Sequence, residues 1–182
     1  MIRLLTFVSG GVRSGKSSLA EKLAVDRFIS SHTAGLYYVA TARVTNDVEM
    51  QERIRMHQKG RSSMWTTIEE SAHIEQLINQ LPANSVVLID CLTVWSSNVL
   101  FLEGRNQTDM LQRLQQFCVG AKEKNIYVIL VSNDLNEEIP IHDVGVQRYI
   151  YSLEKVHQLA ISLSDTVIQV IAGCPVYWKG TS

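Results

Sequence analysis

The chain has 182 residues, 46% of them hydrophobic, which suits one domain, residues 1–182, with a core that needs no disulfides. The formal net charge of −1 gives no reason to expect binding to nucleic acid or to an anionic membrane surface. The three scattered cysteines lack the spacing of a zinc or redox motif, and no apolar run approaches the ~20 residues that span a bilayer, so we expect a cytoplasmic protein with reduced thiols.

Short apolar runs rich in β-branched residues alternate with longer stretches of helical periodicity. In chain order, the predicted elements are strand 4–9, helix 16–28, strand 36–41, helix 47–59, helix 69–80, strand 86–90, helix 94–102, helix 108–122, strand 127–132, helix 144–163, strand 166–171 and strand 176–178. The near-continuous apolar strands are typical of a parallel sheet covered on both faces. We therefore predict an α/β fold with a mostly parallel central sheet, whose ligands bind at the carboxyl ends of the strands.

A glycine-rich loop joins the first predicted strand to the first predicted helix. Gly10 and Gly15 allow backbone conformations that a Cβ would hinder, so successive N–H groups can point at phosphate oxygens. Lys16 can reach the β- and γ-phosphates, and Ser17 can ligate Mg²⁺. The loop predicts a nucleoside triphosphate site built from Gly10, Gly11, Val12, Arg13, Ser14, Gly15, Lys16 and Ser17.

A carboxylate, Asp90, ends the apolar strand 86–90. P-loop proteins hold Mg²⁺ through a strand-end Asp of this kind. A helix cap or turn is the alternative role for such a residue. Since the phosphate loop is present, we predict that Asp90 and Ser17 hold the metal.

Basic residues surround His57, namely Arg53, Arg55, Lys59 and Arg61. On a continuous helix, Arg53 and Arg61 would share a face with His57. The neighbouring cations favour the neutral imidazole, which can act as a nucleophile or a proton acceptor. A basic face with one histidine is also typical of a plain solvated helix, so these residues alone leave both roles open.

Further motifs accompany these features over the first hundred residues: Ala20-Glu21 after the loop, Tyr38-Val-Ala-Thr41, Arg53-Ile54 before His57 and Arg61, Trp65 with Glu69, and Asp90-Cys-Leu-Thr93 with Trp95 and Asn98. In their order and spacing they resemble the bifunctional adenosylcobinamide kinase/adenosylcobinamide-phosphate guanylyltransferase family of cobalamin biosynthesis. The resemblance implies a RecA-like P-loop fold and a homotrimer.

Two reactions on a corrinoid follow from the resemblance. The aminopropanol hydroxyl of adenosylcobinamide would be phosphorylated by GTP or ATP, and GMP would then pass from GTP to that phosphate through a guanylylated His57, with Lys16 also catalytic. The family's guanine-nucleotide contacts fall here on Val39, Ala40, Thr41, Gln58, Lys59, Gly60, Arg61 and Glu69.

Residues 133–140 depart from the family pattern. The family usually shows Asn-Glu-Val-Gly-x-Gly-Ile-Val-Pro, whereas this chain has Asn-Asp-Leu-Asn-Glu-Glu-Ile-Pro, with added negative charge near the phosphate edge. Farther on, the family's Arg-Asp pair appears as Ile150-Tyr151, and its Asn before Gln appears as His157 before Gln158. Three functions therefore stay open: the bifunctional enzyme, a P-loop kinase or NTPase without guanylyl transfer, and a nucleotide-binding regulatory module.

Overall fold

A seven-stranded sheet with helices on both faces forms the part of the chain that the computed structural model describes, residues 4–43, 63–134 and 143–180. The strands are β1 (Leu5–Gly10), β2 (Leu36–Ala40), β3 (Trp65–Glu69), β4 (Val86–Asp90), β5 (Tyr127–Asn133), β6 (Thr166–Ile171) and β7 (Cys174–Lys179). The helices are α1 (Lys16–Ser30), a 3₁₀-helix (Ile74–Asn79), α2 (Leu92–Ser97), a π-helical turn (Asn98–Leu102), α3 (Gln107–Glu123) and α4 (Val144–Leu163).

The strand order is β3-β2-β4-β5-β1-β6-β7, and every neighbouring pair is parallel except β6 with the edge strand β7. Strand β5 thus separates β1 from β4. The six parallel strands end at one side of the sheet, which we call the carboxyl edge. Residues that follow different strands meet there despite their distance in sequence.

Two apolar clusters hold the helices to the sheet, one on each face. Side chains alternate between faces along a strand, so Phe7 packs with α3 and α4 while Val8 packs with α1. The central strands are apolar on both faces because both faces are covered. Polar side chains are therefore concentrated where the strands end.

Most predicted elements are confirmed, but the helix predicted for residues 69–80 is wrong. Strand β3 runs through Glu69, and only Ile74–Asn79 is helical, as a 3₁₀-helix. The β-branched run Thr66-Thr67-Ile68 favours a strand. The Glu70 carboxylate then accepts the backbone N–H groups of Ala72 and His73, at 2.8 and 2.7 Å, which turns the chain between the two elements.

The helix predicted for residues 94–102 begins two residues earlier and becomes a π-helical turn at Asn98. The Asn98 amide donates to the backbone oxygens of Thr41 and Ser71, at 2.9 and 3.0 Å, and so ties the turn to the β2 and β3 ends. The last strand is longer than predicted and holds Pro175 at a sheet edge, where proline is tolerated. The helix predicted for residues 47–59 lies outside the described residues.

Within the described ranges, none of the helices combines the length and the apolar character needed to cross a membrane.

Candidate active site

The glycine loop adopts a backbone conformation that restricts two of its positions to glycine. A Cβ on Gly10 would lie 2.6 Å from both Ser14 Oγ and the Val170 backbone oxygen, and Gly15 has a φ of +91°. Both positions therefore favour glycine. The Lys16 ammonium is folded back onto the loop, where it donates to the Gly11 backbone oxygen at 3.1 Å.

The loop leads directly into α1, whose first N–H groups face the carboxyl edge. Gly15 is the N-cap, so no side chain caps these groups, and the first turn contains no acidic residue. An uncapped helix start carries partial positive charge and binds anions. Lys16, the first residue of α1 and 8% exposed, adds a full positive charge beside it.

The loop is also anchored to the turn between β6 and β7. The Gly173 N–H donates to the Ser14 backbone oxygen at 2.9 Å. The Ser14 hydroxyl is buried and has no hydrogen-bond partner among the described residues, whereas Val12 and Arg13 are exposed at the loop tip. A buried hydroxyl without a partner suits a loop that closes on a polar ligand.

Asp90 ends β4 on the sheet face that α1 covers. Its Oδ2 atom accepts a hydrogen bond from the Tyr38 hydroxyl at 2.9 Å, which orients the carboxylate. Ser17 is the second residue of α1, the helix that covers this same face of the sheet. A carboxylate and a hydroxyl are the oxygen ligands that Mg²⁺ prefers, with phosphate oxygens and waters completing its shell. These two residues therefore fit the predicted metal site.

The remaining predicted nucleotide contacts that the structure describes lie at the ends of β2 and β3. Val39 is fully buried in the core, and Ala40 pairs with Glu69, which is exposed at the carboxyl edge. The Thr41 hydroxyl donates to the Cys91 backbone oxygen at 2.9 Å and accepts from the Cys91 N–H at 2.8 Å. Thr41 thus ties the β2 end to the β4 end. The other predicted residues, His57, Gln58, Lys59, Gly60 and Arg61, lie outside the described residues.

A buried polar network lies on the opposite face of the sheet, beneath α4. Ser132 of β5 contacts the His157 Nε2 atom at 2.7 Å and the Thr93 hydroxyl at 3.0 Å. The Thr93 hydroxyl also accepts the Asn133 N–H, and the Tyr149 hydroxyl donates to the Thr93 backbone oxygen. Burial lowers the pKa of His157, although Asp134 and Glu154 act in the other direction. The network fastens α4 and α2 to the end of β5.

Replacement of this histidine is expected to change how stability depends on pH. The unfolded chain has a histidine pKa of 6.5, and the native His157 pKa is lower, so below pH 6.5 the unfolded state binds the extra proton. The free energy of unfolding of the wild type should therefore fall as the pH is lowered from 6.5 to below the native His157 pKa. His157→Asn removes this contribution and should flatten the dependence.

Urea unfolding of both proteins from about pH 7.5 to about pH 5.5 measures the effect. His32→Asn is a suitable control because His32 is exposed and lies before the start of β2, away from the carboxyl edge. An identical pH slope in wild type and His157→Asn would contradict this account.

Sequence reasoning missed several residues that the fold brings to the carboxyl edge. Tyr38 lies within the strand predicted for residues 36–41, and its ring is buried, but its hydroxyl orients Asp90. Asp134 contacts Ser9 and Gln169, from two other strands. These residues are far apart in sequence, so no local pattern indicates them. Asp134 alone among them directly follows a strand, β5, and this position was the usable signal.

The fold and the loop geometry together define a RecA-like P-loop nucleotide-binding protein. In agreement, the structure is similar to that of a KaiC-like protein from Pyrococcus horikoshii, with a TM-score of 0.52 at 11% sequence identity, covering 91% of this chain and 70% of that one. At this identity the likeness concerns the fold alone.

The chain belongs to the cobinamide kinase / cobinamide phosphate guanyltransferase family, whose model matches residues 6–177. It is 33% identical over 175 residues to the bifunctional adenosylcobalamin biosynthesis protein CobP of Pseudomonas aeruginosa, covering 95% of this chain and 96% of the relative. It is 30% identical over 191 residues to the bifunctional adenosylcobalamin biosynthesis protein CobU of Salmonella typhimurium, covering 97% and 100%. The family of enzymes indicated by the sequence motifs is thereby confirmed.

Proposed function

We propose that this protein phosphorylates the aminopropanol hydroxyl of adenosylcobinamide and then transfers GMP from GTP to the new phosphate, giving adenosylcobinamide-GDP. The observation that carries the proposal is the family match over residues 6–177, which includes the phosphate loop and extends through β6. The relatives are named as bifunctional proteins and align with this chain over nearly their whole length.

The phosphate loop supplies what phosphoryl transfer needs. The open N–H groups at the start of α1 and the Lys16 ammonium can bind the β- and γ-phosphates and offset the charge that develops as the bridging P–O bond breaks. The ammonium now binds the Gly11 backbone oxygen, and it would exchange this partner for phosphate. Ser17 and Asp90 would hold Mg²⁺, which supplies further charge neutralisation when bound.

For the second reaction we propose His57 as the nucleophile. A neutral imidazole nitrogen would attack the α-phosphorus of GTP and expel pyrophosphate, leaving a phosphoramidate. The corrinoid phosphate would then displace the histidine and take the GMP. On a continuous helix Arg53 and Arg61 would share a face with His57, so these two cations can stabilise the phosphates during both steps.

Two isotopic labels test the two reactions together. With cobinamide as acceptor, label from the γ-phosphate of the donor should appear in corrinoid phosphate, and label from the α-phosphate of GTP should appear later in corrinoid-GDP. Separate reactions with ATP and GTP identify the phosphoryl donor.

Each alternative function predicts a different outcome. Transfer of the γ-label without the α-label would favour a kinase that has lost guanylyl transfer, and would overturn the second half of the proposal. Nucleotide binding without transfer of either label would favour a regulatory module and overturn both halves.

We also propose that the protein is a homotrimer in the cytoplasm. The trimer is what the family resemblance implies, and the cytoplasmic location follows from scattered cysteines that suit reduced thiols. Light scattering coupled to gel filtration would measure the assembly, and a monomer would contradict it.

A further inference from the structure

Asp134 lies at the carboxyl edge of the sheet, beside the phosphate loop, and is not among the residues of the nucleotide site. Asp134 directly follows β5, the strand between the phosphate-loop strand β1 and the Asp90 strand β4. Its backbone N–H donates to the Gly10 backbone oxygen at 3.1 Å. The first residue beyond β5 is thus fastened to the start of the phosphate loop.

Two strands that lie on the same side of β5, β1 and β6, hold this carboxylate. The Gln169 amide of β6 donates to Asp134 Oδ2 at 3.0 Å, and the Ser9 hydroxyl of β1 lies 3.5 Å from the same oxygen. Both contacts use Oδ2, and no described residue donates to Oδ1. One carboxylate oxygen is therefore held in place and the other is available to a ligand.

Trp178 fixes the direction of the amide that holds Asp134. An indole N–H can only donate, and it donates to Gln169 Oε1 at 3.2 Å. The amide oxygen must then face Trp178, which leaves the Nε2 donor facing the carboxylate. Two directed hydrogen bonds, from Trp178 to Gln169 and from Gln169 to Asp134, thus set the orientation of the Asp134 carboxylate.

The position of Asp134 relative to Lys16 suggests what the carboxylate contacts. Asp134 N–H binds the Gly10 oxygen, and the Lys16 ammonium binds the next carbonyl, that of Gly11. A carboxylate near phosphate oxygens is repelled by them. A neutral hydroxyl approaching the γ-phosphorus, in contrast, has a proton to donate and suits a carboxylate acceptor.

We infer that Asp134 is the catalytic residue that binds the acceptor alcohol and removes its proton in the phosphoryl transfer, an inference that rests on the proposed function. As the alcohol oxygen forms its bond to the γ-phosphorus, the bond from that phosphorus to the β-phosphate oxygen breaks and the nucleoside diphosphate leaves. The hydroxyl proton goes to the Asp134 carboxylate. Gln169 and Trp178 are positioning residues for this group.

The test is Asp134→Asn, which keeps the shape of the side chain and an oxygen for the Gln169 amide but cannot accept the proton. Transfer of γ-label to cobinamide should fall about 10²–10⁴-fold, the usual contribution of a general base. Labelling of the protein by α-labelled GTP should stay at the wild-type level, since that step involves no alcohol. Asp134→Glu, which retains a carboxylate, should recover part of the transfer.

Asp26→Asn is the matched control, because Asp26 is an exposed carboxylate on α1 well beyond the phosphate loop. Near-normal phosphoryl transfer by Asp134→Asn would overturn the inference alone. An equal loss of transfer and of protein labelling would also overturn it, because that result indicates general damage to the nucleotide site. Failure of the proposed function would differ from both, since the wild type itself would transfer no γ-label.

Discussion

Lys16→Ala is expected to lower the kcat/KM of phosphoryl transfer about 10²–10³-fold, the usual effect of removing one preorganised group that stabilises transition-state charge. Lys16 is the first residue of α1 and is almost fully buried. Its ammonium is held at the phosphate loop by one backbone oxygen. Among the lysines that the structure describes, Lys16 alone donates a hydrogen bond to the phosphate loop.

Lys22→Ala is the control for this variant. Lys22 lies on the same helix but is exposed, so Lys22→Ala removes a positive charge away from the loop. Steady-state kinetics on both variants, together with a titration of nucleotide binding, measure the effect. Equal kinetics for Lys16→Ala and Lys22→Ala would show that the phosphate loop is not where transfer occurs.

His57→Asn is expected to abolish guanylyl transfer altogether while phosphoryl transfer continues. The reason is chemical: an amide cannot form the phosphoramidate, so the two-step route to the product is closed. The phosphate loop, in contrast, is unchanged. Kinetic assays with cobinamide and with cobinamide phosphate measure the two activities separately.

Other histidines provide the controls for His57. His73 is paired with Glu103 at 2.7 Å and with Glu75 at 3.4 Å, and His157 is bonded to Ser132. His32 is exposed in the segment that precedes β2, away from the carboxyl edge. His32→Asn should therefore keep full guanylyl transfer, and its loss in that variant but not in His57→Asn would refute the assignment.

The parts of the fold that follow from local sequence were predictable. The run of apolar residues, glycines and Lys16 indicates strand, loop and helix within a few residues, and the structure confirms that order. Strand β3 was not predictable in the same way, because the short run Thr66-Thr67-Ile68 is followed by an apolar pattern of helical spacing. Its state depends on pairing with β2 and on the turn that Glu70 forms.

In the site, too, local sequence identifies some residues, whereas contacts between residues distant in sequence could not be predicted. Asp90 can be recognised because it ends an apolar strand, but the bond from Tyr38 to it spans 52 positions of sequence. Gln169 and Asp134 are 35 positions apart, and only the order of β5, β1 and β6 brings them together. A single sequence contains residue types and spacing but not strand order, so it could not reveal this cluster.

Mass spectrometry of the protein after exposure to GTP and Mg²⁺ shows whether His57 carries the transferred GMP. Trypsin cleaves after Arg55 and Lys59, so the peptide Met-His-Gln-Lys isolates His57 as its single histidine. Since a phosphoramidate is labile in acid, the digest is kept at neutral or basic pH. We expect one GMP on this peptide, and its disappearance when cobinamide phosphate is added. An unmodified peptide, or GMP on a different histidine, would contradict it.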